Sequence, residues 1–171
     1  MRVVATKDEV NQVLDAMGQD MRNSKIGLDA EWNVEKNSRG HQTAQPNVKT
    51  IQIAYRSASD NVIQVLIIKS GRWKILPNHL QSLLCNDSMC IAGVKVSGDL
   101  IKIGSDFSID AINNVDQKSR PNVYNLGKYA RERDVVQNAA TASLELLAEK
   151  NVEFRDGQII ADIKLEWPTH Q

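Results

Sequence analysis

Two carboxylates one residue apart open the chemical reading of this chain: Asp29 and Glu31, in the run Ile26-Gly27-Leu28-Asp29-Ala30-Glu31-Trp32. Side chains alternate across a strand, so the two acids project from one face while Leu28 and Ala30 point the other way. About 7 Å apart along the strand, they repel one another and are costly beside a core unless a cation stands between them. A hard divalent ion such as Mg²⁺ or Mn²⁺ answers that need, because oxygen ligands suit it and its charge offsets theirs. An isolated Asp-x-Glu is more often a pair of solvated acids on an edge strand. Here Ile26, Leu28 and Trp32 flank the pair and an apolar run, Ile51-Gln52-Ile53-Ala54, follows, which argues for a place inside a sheet.

A third carboxylate comes from residues 92–100 (AGVKVSGDL). An apolar strand there passes through a glycine-containing turn and delivers Asp99 to the first turn of a helix, where the helix dipole favours negative charge. Taken alone, Asp99 reads equally well as a plain helix-capping aspartate.

The elements that must position these groups follow from periodicity and turn chemistry. Residues 2–5 form a short strand, and Thr6-Lys7-Asp8-Glu9 is a capping box ahead of a helix that Val10, Val13, Leu14 and Met17 extend to about residue 21. Residues 25–33 form a central strand and 33–47 a polar loop, and residues 50–56 and 62–69 pair as an antiparallel hairpin through residues 57–61. A short helix over 77–84, a buried strand over 90–96 and a helix opening at Gly98 come next, and residues 122–150 read as two helices. The fold class is α/β, with a mixed sheet of three antiparallel strands followed by parallel ones, flanked by helices.

Composition narrows the function. The chain has 171 residues and 19.1 kDa, the size of one domain. Its 21 Lys and Arg balance 21 Asp and Glu, so any contact with nucleic acid must be local. Three Trp, three Tyr and two Phe are too few for a row of stacking platforms. Cys85 and Cys90 have neither C-x-x-C nor finger-like spacing and read as semi-buried thiols in a reducing compartment. With no signal peptide and no membrane-length apolar run, an intracellular protein, nuclear or cytoplasmic, is expected.

Together, the LDAEW segment at residues 28–32, the IQIA strand at 51–54 and AGVKVSGDLIKI at 92–103 resemble the first two motifs of the DEDD-type 3′-5′ exonucleases, nearest the exonuclease domain of the Werner-helicase type. Residues 143–147 (SLELL) are similar to that family's S-L-x-x-L helix, with Trp167-Pro168 near the Trp that usually follows. The resemblance implies a ribonuclease H-like fold and hydrolysis of phosphodiester bonds at the 3′ end of DNA or RNA with two Mg²⁺ or Mn²⁺ ions. It implies Asp29, Glu31 and Asp99 as metal-binding catalytic residues, Asp29 bridging both ions. Trp32, Arg39, Lys95 and Lys102 are the candidate nucleic-acid contacts, with Lys36 and His41 beside Arg39 in the loop.

The family's third motif, Tyr-x-x-x-Asp or His-x-x-x-x-Asp after the S-L-x-x-L helix, has no match: after Leu147 there are Asp156, Asp162 and His170 but no Tyr. Asp162 is the weak candidate for the fourth carboxylate, and the expectation is a single domain, residues 1–171, without its C-terminal helix. Residues 129–134 (YARERD) precede the S-L-x-x-L helix and read instead as a charged helix surface, with Arg131 and Arg133 as further phosphate contacts. The alternative is a non-catalytic nucleic-acid-binding or protein-interaction module on the same fold.

Overall fold

Strict alternation of apolar and polar residues builds the centre of the sheet. In β2 (Lys25–Glu31), Ile26, Leu28 and Ala30 are buried while Asp29 and Glu31 lie on the opposite face. The neighbouring β3 (Thr50–Arg56) buries Ile51 and Ile53, and β4 (Ile63–Lys69) buries Leu66 and Ile68. β2 pairs antiparallel with β3, and β3 with β4, as the hairpin pattern predicts. The computed structural model describes residues 1–17, 25–32, 47–57, 62–113, 120–132, 134–139, 143 and 147. The expected 33–47 loop therefore lies, but for Asn47, outside the described residues.

The six-stranded sheet has the order β1-β4-β3-β2-β5-β6. At one edge β1 (Arg2–Val4) runs parallel to β4, and at the other β5 (Cys90–Gly93) and β6 (Val123–Asn125) run parallel to β2. The mixed α/β architecture expected from the pattern is the one found.

Helices begin where local chemistry directs. The hydroxyl of Thr6 accepts from the Glu9 amide at 3.2 Å, and the Glu9 carboxylate accepts from the Thr6 amide at 3.0 Å, the reciprocal box that opens α1 (Lys7–Ala16). These amide bonds, with Ala5 first, hold the Glu9 carboxyl below its usual range. α1 buries Val10, Val13 and Leu14 and ends at Ala16, five residues before the expected end near 21. Residues 18–24 lie outside the described residues. Helix α2 (Asn78–Leu84) follows Pro77, and the buried Arg120 guanidinium donates to the Leu84 carbonyl at 2.8 Å and to the Asn86 carbonyl at 3.4 Å. A cation placed on the last carbonyls of a helix offsets its dipole and fixes the turn into β5. The Asn122 amide adds a bond to the Met89 carbonyl at 2.6 Å. Cys85 and Cys90 are free and half-buried, and burial raises both thiols above their ordinary range, so neither is poised as a nucleophile.

Three expectations need correction. The strand expected over 90–96 stops at Gly93, and the helix expected to open at Gly98 starts at Val96 as α3 (Val96–Phe107). The cause is Lys95, in the left-handed conformation with φ 59° and ψ 25°, which turns the chain out of the sheet within two residues. Residues 123–125, expected to be helical, form β6, because pairing of Val123 with Ile91 overrides a weak local preference. The short α4 (Asp110–Asn113) was not legible in the pattern; it packs on α3 where a Cβ on Gly104 would stand 2.9 Å from the Asn113 amide nitrogen.

The chain divides into two compact units, Met1–Leu126 and Gly127–Gln171. In the second, α5 (Leu126–Glu132) ends in a Schellman pair: the Val135 amide donates to the Ala130 carbonyl at 2.9 Å and the Asp134 amide to Arg131 at 3.0 Å, with Asp134 at φ 58°. Asp134 thus closes a helix, and the exposed Arg131 and Glu132 make the charged surface expected of this stretch. Arg133 lies outside the described residues. The Leu147 amide donates to the Ser143 carbonyl at 3.0 Å, one helical bond within the S-L-x-x-L segment.

Gly93 is where packing leaves no freedom: a Cβ there would stand 2.3 Å from the Leu28 carbonyl oxygen, whereas one on Gly98 would meet nothing within 4 Å. Gly93→Ala is expected to destabilise the fold by about 3 kcal/mol, since backbone must move to admit it. Gly98→Ala, inside a helix, is expected to stabilise it by about 0.5–1 kcal/mol. Urea unfolding midpoints of the two variants check both signs.

Candidate functional site

The close approach at Gly93 has a chemical consequence. With β5 pressed against β2 and the chain reversed at Lys95, α3 starts beside the end of β2, and its first turn carries Asp99. Asp99 is 7% exposed, and its Oδ2 has no hydrogen-bond partner. Burial first, then the nearby Asp29 and Glu31 charges, raise its carboxyl to about 7 from an ordinary 3.8. The helix dipole opposes that shift, but it is worth about 0.3–1 kcal/mol. A rise of about three units corresponds to roughly 4 kcal/mol, so desolvation and like charge win.

Asp29 and Glu31 share a face of β2, as their spacing requires. Asp29 is half-buried and pairs in register with Gln52 of β3, whose Nε2 donates to Asp29 Oδ2 at 3.4 Å. Glu31 is exposed, and its backbone carbonyl accepts from the Lys49 amide at 2.8 Å. The three acids named from sequence thus lie within one another's field. Among the described residues no three His, Cys, Asp or Glu side chains converge closely enough to form a ready-made metal cage. The donor chemistry nevertheless fits a hard cation: three carboxylates, one of them buried with an oxygen unpartnered.

The other residues singled out from sequence have separate fates. Trp32 is half-buried and packs against the hydrophobic core. Lys95 is exposed at the turn preceding Asp99. Lys102 is not a free cation: it pairs with Asp106 one helical turn on, where both side chains are largely buried. Asp106 Oδ2 also accepts from the Val48 amide at 2.7 Å, so this pair fixes α3 to the chain entering β3. Arg39 and Asp162 lie outside the described residues, as do Lys36 and His41. Sequence reasoning missed Gln52 and Asp106. Gln52 had a signal, a polar residue between Ile51 and Ile53 on the face that carries Asp29; Asp106 had none, because its partner is 58 residues away.

No protein-family profile and no curated protein matches the chain. Solved structures do. RNase D of Trypanosoma brucei, in complex with GMP, is 14% identical over 75% of this chain with a TM-score of 0.54; the chain spans 33% of that protein. The EXD2 exonuclease domain is 22% identical over 100% of this chain and 79% of its own, with a TM-score of 0.49. The catalytic core of RRP6 from Trypanosoma brucei is 14% identical over 62% of this chain and 26% of its own, with a TM-score of 0.44. The EXD2 domain is also known from crystals soaked in Mg and in Mn with GMP. The match to RNase D shows the fold: a ribonuclease H-like mixed sheet flanked by helices.

Asp99 supplies a test that needs no catalysis. Its raised carboxyl is neutral and harmless below about pH 4, and its contribution turns destabilising as pH climbs from about 4 through 7. Asp99→Asn in chelator is therefore expected to raise stability at pH about 8 by on the order of 2 kcal/mol, about half of the charged-state penalty because the buried amide keeps a desolvation cost of its own, with the gain vanishing by pH about 4. Thermal melts of parent and variant across that range read it directly.

Proposed function

We propose that this chain is a 3′-5′ exonuclease domain of the DEDD superfamily, nearest the Werner-helicase type, hydrolysing phosphodiester bonds at the 3′ end of a nucleic acid. The observation that carries the reading is the buried Asp99 carboxylate, unpartnered at Oδ2 and held beside Asp29 and Glu31. Such an arrangement works against folding, and it is explained by a cation.

Asp29, Glu31 and Asp99 would hold Mg²⁺ or Mn²⁺, two ions being expected. A cation held there would supply activation of water at neutral pH and stabilisation of negative charge on the leaving 3′ oxygen. The chain's own residues prepare that chemistry. Gln52 orients the Asp29 carboxylate through its Nε2. The burial of Asp99 keeps one acid away from water, so its charge acts on the site with little screening. Glu31, exposed at the end of β2, stands where a strand end can enter from solvent. Lys95, exposed and four residues before Asp99, would meet a phosphate of the arriving strand. The fourth carboxylate of the family pattern is left open, Asp162 being its weak candidate.

Incubation of 5′-labelled single-stranded DNA and RNA with Mn²⁺ or Mg²⁺ tests the reading. The expected product is a ladder shortened one nucleotide at a time from the 3′ end. Asp29→Asn is expected to slow it by roughly 10³-fold, in line with losing a group that stabilises transition-state charge. Equal cleavage by parent and variant would overturn the assignment of the site, and no shortening of either strand would overturn the activity.

A further inference from the structure

The chain is neutral as a whole, yet residues 48–86 contain five Lys or Arg and a single Asp. Four of those cations, Lys49, Lys69, Arg72 and Lys74, are exposed, and among the described residues none is paired with a carboxylate. The topology gathers them at one end of the sheet. β2 finishes at Glu31, β3 starts at Thr50 and β4 finishes at Lys69, and the register sets Glu31 opposite Thr50 and Thr50 opposite Lys69. Directly opposed residues share a face, so Lys69 lies on the face that carries Asp29 and Glu31, two strand spacings or about 10 Å from Glu31.

Backbone bonds fix Lys49 and Arg72 to the same edge, and Lys74 follows two residues after Arg72. The Lys49 amide donates to the Glu31 carbonyl at 2.8 Å, and the Lys49 carbonyl accepts from the amides of Ser70 at 2.8 Å and Gly71 at 3.2 Å. The hydroxyl of the buried Ser70 donates to the Val48 carbonyl at 3.1 Å, and the Trp73 amide to the Ser70 carbonyl at 2.9 Å, closing the turn that presents Arg72. The turn is thus bonded through one residue to the backbone of Glu31. Like charges gathered on a rigid edge, none of them ion-paired among the described residues, repel one another, and a polyanion relieves that repulsion.

We propose that Lys49, Lys69, Arg72 and Lys74 form the track that holds the phosphate backbone of a single nucleic-acid strand leading into the site. The proposal rests on the exonuclease reading of that site and extends it to nucleotides upstream of the 3′ end. A strand fits better than an acidic protein surface because the cations stand at the same end of the sheet as the β2 carboxylates, where an acidic surface would meet like charge. A metal there would take the terminal phosphate, and the track neutralises the phosphates that follow.

Fluorescence anisotropy of a labelled oligothymidylate, with chelator present, reads binding without cleavage. The double variant Lys69→Gln/Arg72→Gln is expected to bind at least tenfold more weakly than the parent at low salt. The matched control Lys7→Gln/Lys25→Gln, in α1 and at the far end of β2, is expected to bind as the parent does. With all four track residues neutralised, the slope of log affinity against log salt should become shallower by about 3, at roughly 0.7 per phosphate contact. Melting temperatures confirm that each variant is folded. Unchanged binding and slope in the quadruple variant would overturn the track, as would equal losses in the control. Equally tight binding of labelled polyglutamate would overturn the assignment to a nucleic-acid strand. Because the readout is binding, loss of the track and loss of the exonuclease reading are separable: a parent that cleaves while all four substitutions leave binding intact refutes the track alone.

Discussion

One buried carboxylate constrains this fold more than any other group. Asp99 sits almost out of water with an oxygen unpartnered and two further acids in its field, an arrangement that opposes folding by several kcal/mol when the group is charged. Every neighbouring element acts to keep it there. Gly93 lets β5 meet the Leu28 carbonyl, Lys95 reverses the chain in a left-handed turn, and the apolar face of α3, with Val96, Leu100, Ile103 and Phe107, anchors the helix in the core. The Lys102–Asp106 pair, bonded to the Val48 amide, ties the far turns of the same helix to the chain entering β3.

The same elements explain why the sheet is mixed. β2 is central, and its two neighbours meet its carboxylates from opposite sides. Antiparallel β3 supplies Gln52 to steady Asp29, and parallel β5 delivers Asp99 from its carboxyl end. In an open α/β sheet, ligands meet the carboxyl ends of parallel strands, and the carboxylates gather at that end of β2 and β5. At the same edge the start of β3 and the end of β4 bring positive charge, so a chain neutral in total is locally polarised there.

Much of this was legible in the sequence, for physical reasons. Period-two alternation fixed β2 and β3 and put Asp29 and Glu31 on one face, and the Thr6–Glu9 box marked the start of α1. Those signals are local. The boundary between β5 and α3 was misplaced because it depends on a lysine in a left-handed turn, a conformation that residue type rarely signals. β6 was missed because three residues become a strand only by pairing with β5. The Asp106 bond to Val48 and the in-register row of Glu31, Thr50 and Lys69 are tertiary facts, visible only once the strands are aligned. The sequence identified the acids; the depth of Asp99 came from the fold.

Calorimetric titration with Mn²⁺ at pH about 7 shows whether Asp29, Glu31 and Asp99 make one divalent-cation site. Burial and the neighbouring acids push the Asp99 carboxyl up to about 7, so metal binding must displace a share of its proton, and the measured heat should vary with the ionisation enthalpy of the buffer. A shared site gives saturable binding with proton release in the parent, and in Asp99→Asn weaker binding with no such release. Binding of equal strength in parent and variant, or none in the parent, would contradict it.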